Sequence, residues 1–163
     1  MKIEDHMTQE TAQIIHYGYV PTAHGFIEIK CDHEAIIYIG FTDDIFHLES
    51  NTLLIAQTKE QLKEYISGIR KTFSLPIKTV GTVFQKRVWQ ALTTIPFGET
   101  RSYQEIGELI DSPKAVRAIG AANGKNPISI IVPCHRVIGK GGQLTGYSGG
   151  LLRKKWLLEI ENN

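Results

Sequence analysis

The apolar residues of this 163-residue chain follow two different periods, and that limits the folds open to it. Gly25-Phe26-Ile27-Glu28-Ile29-Lys30-Cys31 alternates apolar and polar residues, the period of a half-buried strand. Residues 35–41 make a second strand, and Asp32-His33-Glu34 is a hairpin connection between the two. Residues 13–48 as a whole read as strands and turns. The period then lengthens. Thr58 with Gln61 fits a capping box, Leu62, Tyr65, Ile66 and Ile69 share one helix face, and Arg70-Lys71 suits a helix C-terminus.

Residues 72–81, with Pro76 and Gly81, have little periodicity and read as a linker between domains at 1–79 and 80–163. The charge changes sign at the same place. Residues 1–79 hold seven Lys/Arg and eleven Asp/Glu; residues 80–163 hold eleven and six. A basic half fits a polyanionic partner and equally a solvated basic face. The second half is mostly helical. Phe84, Val88 and Leu92 line a helix that Pro96 and Gly98 end, and Ser102 with Glu105 is a capping box ahead of Ile106, Leu109 and Ile110. Ser112-Pro113 places a cap and an N1 proline before a further helix that Gly124 closes. These two short helices, joined at Asp111-Ser112, form a helix-turn-helix pattern. The second carries Ala115, Ala118, Gly120, Ala121 and Ala122, a small-residue surface that fits either tight helix packing or close approach to a partner. Packing does not account for Arg117 on it. The expected class is α+β: a first domain with a small antiparallel sheet, then a mostly helical domain with a helix-turn-helix.

No apolar run reaches the ~18 residues of a membrane helix. Residues 1–6 are polar and carry acids, unlike a signal peptide. Cys31 and Cys134 are therefore expected as reduced thiols in a cytoplasmic protein, Cys31 as a surface or half-buried thiol without a role.

Chemistry concentrates in Pro133-Cys134-His135-Arg136, between a strand-like apolar run (Ile128, Ile130, Ile131, Val132) and a Gly-rich loop. A thiol beside an imidazole and a guanidinium is poised to be a thiolate, the nucleophilic form. Neighbouring side chains on a strand face opposite ways, so pairing Cys134 with His135 needs a turn, which Pro133 permits. A cysteine hydrolase needs a distant histidine, and His6, His16, His24, His33 and His47 all lie in the first half. No spacing matches a metal site.

Gly81-Thr82-x-Phe84-Gln85-x-x-Val88-Trp89, Ile95-Pro96-x-Gly98-Glu99-Thr100, Ser102-Tyr103, Arg117-Ala118-x-Gly120, Asn126-Pro127, Ile131 to Val137, Tyr147-Ser148-Gly149-Gly150 and Trp156-Leu157-Leu158-x-x-Glu161 follow in order over half the chain. Together they resemble the O6-alkylguanine-DNA alkyltransferases. The resemblance implies stoichiometric, irreversible transfer of an alkyl group from O6-alkylguanine in duplex DNA to Cys134, and leaves O4-alkylthymine open as a second substrate. It implies a helix-turn-helix in the minor groove, where Ala115, Ala118, Gly120 and Ala121 let the backbone approach. Arg117 then fills the stack as the damaged base flips out, because the alkyl carbon is out of reach inside the duplex. Tyr103 steers the nucleotide and donates to guanine N3. His135 deprotonates Cys134 through a water and Glu161 orients the imidazole, triad logic with a carboxylate behind the base. Asn126 braces the turn, Arg136 is a structural anchor, and Val137, Tyr147, Ser148 and Gly149 form the pocket. No cofactor, metal or membrane is implied, and the protein is expected to be a monomer. Val116 departs from the alanine often found before the arginine finger. The Ala/Gly surface argues against a transcriptional regulator, and Cys134 against an alkyltransferase-like damage sensor that lacks the acceptor.

Overall fold

The structure, a computed structural model, describes residues 13–163. The polar segment at residues 1–6, and His6 with it, lies outside the described residues.

Three antiparallel strands open the fold: β1 (His16–Thr22), β2 (Gly25–Cys31) and β3 (Ile36–Thr42), in that spatial order. Two tight turns set the register. Thr22 Oγ1 accepts from the His24 amide, and Asp32 Oδ1 accepts from the Glu34 and Ala35 amides at 2.8 Å. The period of two places Ile27, Ile29 and Cys31 on one buried face. Cys31 is thus fully buried, not a surface thiol, and burial, aided by the Asp32 charge, pushes its pKa up to about 12.

Helix α1 (Leu53–Ile66) covers that face with Ile55, Leu62 and Tyr65. Gly18 makes the approach possible, since a Cβ there would stand 2.7 Å from Ile55. The helix starts five residues before the capping box expected at Thr58. Its N-cap is Thr52, and buried Thr58 instead donates its hydroxyl to the Leu54 carbonyl within the helix. The helix also stops at Ile66; Gly68, at φ 80°, turns the chain, and Ile69 is exposed. Burial decided these boundaries. Each buried Ile or Leu is worth about 1.5–3 kcal/mol, more than the ~1 kcal/mol of a cap.

The outer edge of β3 is not left open. Ile36 bridges Ile77 and Ile39 bridges Ile128, both in parallel sense, so the connecting segment and the second half each extend the sheet at one point. The rest is helical: α2 (Val83–Leu92), α3 (Tyr103–Leu109), α4 (Val116–Gly124) and α5 (Leu151–Glu161), with a two-residue parallel pairing of β4 (Arg101–Ser102) and β5 (Val137–Ile138). Capping boxes open α2 (Thr82, Gln85) and α3 (Ser102, Glu105). Val88, Trp89, Leu92, Ile106, Ile119 and Ala122 fill the space between α2, α3 and α4, and Trp89 Nε1 donates to the Ala122 carbonyl at 2.8 Å.

The helix-turn-helix is present, but its second helix starts at Val116 without a side-chain cap. Ser112 and Pro113 belong to the turn: the Ser112 amide bonds back to Gly107 O, and the Ala115 amide bonds to Ser112 O. Asp111 sits at φ 56° just before it. Ala115 is therefore the residue before the helix rather than its third residue. No helix among the described residues is long and apolar enough to cross a membrane.

Candidate active site

Residues 128–132 do not form the expected strand. They coil into turns with Ile130 at φ 74°, and meet the sheet only where Ile128 bridges Ile39 and the Ser129 amide donates to Ile39 O. Their apolar side chains are buried because the turns pack between both halves of the chain, which alternation cannot reveal. Asn126 braces this coil at both ends. Its Nδ2 donates to Val132 O at 2.8 Å, and its Oδ1 accepts from the Ile128 amide at 3.0 Å. Pro133 then leads into a single 3₁₀ turn, Cys134–Arg136, held to α4 by Asn123 Nδ2 on the Cys134 carbonyl at 3.3 Å.

The turn sends its three side chains to separate partners. His135 and Arg136 both reach Glu161, at the C-terminal end of α5. His135 Nε2 pairs with Glu161 Oε2, and Arg136 Nε donates to Oε1 at 2.6 Å. Two further donors converge on the same carboxylate: Tyr65 Oη on Oε2 at 2.6 Å and the Gly98 amide on Oε1 at 3.2 Å. Arg136 also donates to Ile95 O at 2.7 Å, as a structural anchor would. Burial alone would raise the Glu161 pKa, but bonds from His135, Arg136 and Tyr65 outweigh it and bring it down to about 2. An ionised carboxylate accepts only, so His135 Nε2 carries the proton and Nδ1 keeps its lone pair. Nδ1 is buried and has no hydrogen-bond partner. Burial also holds the imidazole pKa below its usual value despite Glu161, so the resting ring is a neutral base.

The thiol does not sit among those cations. Cys134 faces Asn126, Ser129 and Lys154, and burial raises its pKa against the pull of all three. The expected poised thiolate is therefore corrected. Arg136 spends its charge on Glu161, His135 is neutral, and the resting thiol is protonated, so a nucleophilic step requires a base.

Lys154 joins the site although the motifs in the sequence do not include it. It is fully buried, and its Nζ donates to Val137 O at 2.6 Å and Thr145 O at 2.7 Å. Burial lowers its pKa to about 8, with the Cys134 charge pulling the other way. The signal was its spacing: Lys154, Leu157 and Glu161 repeat at three and four and form the buried face of α5. Tyr65 and Gly98 were read as a helix-face residue and a helix stop; both also hold Glu161.

The loop after β5 curls over the thiol. Tyr147 is mostly buried, its hydroxyl has no hydrogen-bond partner, and burial followed by the Cys134 charge pushes its pKa well up. Its ring lies against Phe41 of β3, which also meets Trp156 and Arg153. Ser148 and Gly149, with Asn126, Ser129 and Tyr38 to Phe41 of β3, line a cavity of about 360 Å³. Val137 opens β5 and is buried. Tyr103 starts α3, accepts a hydrogen bond from Thr145 at 3.0 Å and faces Gly120 of α4, where a Cβ would stand 3.9 Å from the ring.

On α4 the small residues divide. Ala122 packs inward, while Ala118 and Ala121 are exposed beside Arg117, and Gly120 is half-buried against Tyr103. Helix packing thus accounts for Ala122 and not for Ala118 or Ala121. Among the described residues no His, Cys, Asp or Glu group is placed to hold a metal ion.

Residues 83–163 match the family model of the 6-O-methylguanine DNA methyltransferase DNA-binding domain, and residues 15–79 match that family's ribonuclease-like domain. A methylated-DNA–protein-cysteine methyltransferase of Methanosarcina acetivorans is 43% identical over 155 residues, 91% of this chain and 99% of that one. The chain belongs to this methyltransferase family. The constitutive methylated-DNA–protein-cysteine methyltransferase of Bacillus subtilis is 57% identical over 108 residues, and that alignment spans 66% of each chain. Among solved structures, Mycobacterium tuberculosis OGT in complex with DNA superposes with a TM-score of 0.82 at 43% identity, covering 90% of this chain and 92% of that one. The α+β arrangement, a small sheet followed by helices, is the family's fold.

Proposed function

We propose that this chain repairs duplex DNA by moving the alkyl group of O6-alkylguanine to Cys134, once per molecule and without a cofactor. The observation that carries this reading is a buried thiol in one tight turn with a buried histidine that a carboxylate backs. Chemically the transfer is a substitution at carbon. The Cys134 proton passes through a bridging water to His135 Nδ1, which keeps a free lone pair; sulfur bonds the alkyl carbon as the bond to guanine O6 breaks. Tyr103 donates to N3 of the leaving base and the Ser148 amide to O6. Val137, Tyr147 and Gly149 close the pocket, and Asn126 holds the turn that presents the thiol.

The DNA-binding face is the exposed side of α4. Bare Ala118 and Ala121 allow the backbone into the minor groove, with Ala115 and Gly120 at its margins, and exposed Arg117 enters the stack behind a flipped base. The basic half fits that duplex, and the match to a DNA-bound relative supports it. We assign residues 80–163 as the DNA-binding and acceptor domain, residues 1–79 as the variable first domain, and the chain as a cytoplasmic monomer. Mass spectrometry after incubation with O6-methylguanine duplex tests the reading: one added CH2 on the peptide holding Cys134 is expected, and an unmodified thiol would overturn it.

A further inference from the structure

Glu161 Oε2 receives two donors, and one comes from the far half of the chain. Tyr65 lies on α1 of the first half, is fully buried, and puts its hydroxyl 2.6 Å from Glu161 Oε2 and 3.5 Å from His135 Nε2. Its ring is fixed by Phe73 and Phe97, with centroids 5.6 and 6.2 Å away. A tyrosine needed only for packing requires no hydroxyl at that place. We propose that Tyr65 is a positioning residue of the first half, which sets the basicity of His135 by sharing Glu161 Oε2 with it; this rests on the alkyl-transfer reading of the same site.

The physical reason is competition at one oxygen. Glu161 Oε1 is already saturated by Arg136 and Gly98, so Oε2 alone is left to polarise the imidazole. A hydroxyl donating to Oε2 withdraws negative charge from it and weakens its hold on an imidazolium. Tyr65 thereby keeps His135 neutral at rest and able to accept a proton. The other groups that bear on the ring are Arg136 from its own turn and Lys154 from α5, with Cys134 next to it in the chain and Tyr147 beside the thiol. None of them reaches Oε2. The first half, whose sheet makes no hydrogen bond to the relay, would in this way tune it through one atom.

Tyr65→Phe in the full chain removes that atom and keeps the ring. Two readouts follow it: NMR titration of 15N-labelled His135, and the pH profile of Cys134 alkylation by iodoacetamide. The His135 transition is expected to move up by about half to one pH unit, with the thiol profile moving in step. Lys154→Met, which leaves Oε2 untouched, should move the thiol profile by more than the His135 transition, on which its charge is the smallest of the influences. An unmoved His135 transition in Tyr65→Phe, whether or not thermal stability falls, would overturn the proposal and leave Tyr65 a packing residue. Neither readout uses DNA. Failure of the native protein to take up a methyl group would sink the alkyl-transfer reading separately.

Discussion

Lys154 holds its ammonium 2.6 Å from the Val137 carbonyl, inside the protein, with no carboxylate partner among the described residues. A buried cation without a counter-charge is costly, and its lowered pKa expresses that cost. The nearby group able to supply a negative charge is the Cys134 thiolate. Lys154 thus stabilises the state reached after deprotonation more than the resting one, the property expected of a group that assists a reaction.

Lys154→Met should therefore slow Cys134 alkylation at neutral pH by roughly tenfold, through a thiol pKa raised by about one unit. It should also change stability with a definite sign. The folded pKa of Lys154, about 8, lies below the ordinary 10.5, so between them the unfolded chain binds the extra proton. Native stability then rises with pH across that window and is lower below it. Urea titrations from pH 7 to 10 should show the native protein gaining on Lys154→Met. A constant difference between the two would remove the buried-cation account.

Glu161→Gln should fail in the opposite pH range. The carboxyl group is held down to about 2 from an ordinary 4.5, so its contribution is complete above 4.5 and is lost as pH falls towards 2. At pH 7 the amide leaves Arg136 without its charge partner, a loss on the order of 3 kcal/mol. The variant should unfold earlier at pH 7, and its deficit should shrink on acidification. Methyl transfer should slow at least a hundredfold, because the imidazolium formed on proton uptake loses its counter-ion.

Much of this site was legible as sequence because it is local. The turn at Pro133-Cys134-His135-Arg136 and the Ser102–Glu105 capping box depend on residues within a few positions, and both are found where expected. Asn126 bracing Val132 is of the same kind. What stayed hidden depends on distance. Tyr65 and Glu161 are 96 residues apart, so their contact has no periodic signature, and the three-and-four spacing of Lys154 is masked by its place among three successive basic residues. The run 128–132 misled for the same reason: burial by turns and burial by a strand produce the same apolar string. Thr58 shows the limit of caps, since the helix is capped by Thr52 and Thr58 is buried within it.

Cys134→Ser should end transfer while leaving duplex affinity within about twofold. An alcohol yields almost no anion near neutrality, and the side chain lies in the turn, apart from the exposed face of α4. Native protein titrated against excess methylated duplex should plateau at one equivalent. The thioether product has no water-activating group to reverse it: His135 is spent on the thiol proton, and Cys31 is buried in the sheet core with a pKa near 12. Several equivalents repaired per molecule would contradict the acceptor role of Cys134.

Arg117→Ala separates binding of a base from its extraction. The side chain is exposed on α4 and makes no hydrogen bond or ion pair among the described residues, so its removal should leave the melting temperature within about 1–2 °C. If it occupies the space a flipped guanine leaves, the duplex reaction must lose its contribution while reaction with free O6-benzylguanine does not, because a free base has nothing to unstack from. A loss of tenfold to a hundredfold on duplex, and under twofold on the free base, is the expected pattern. Duplex affinity should fall as salt rises in both proteins, with a shallower slope in the variant by up to about one ion if the guanidinium meets a phosphate. Equal losses on both substrates would place Arg117 in the pocket or the fold and would leave extrusion to Tyr103.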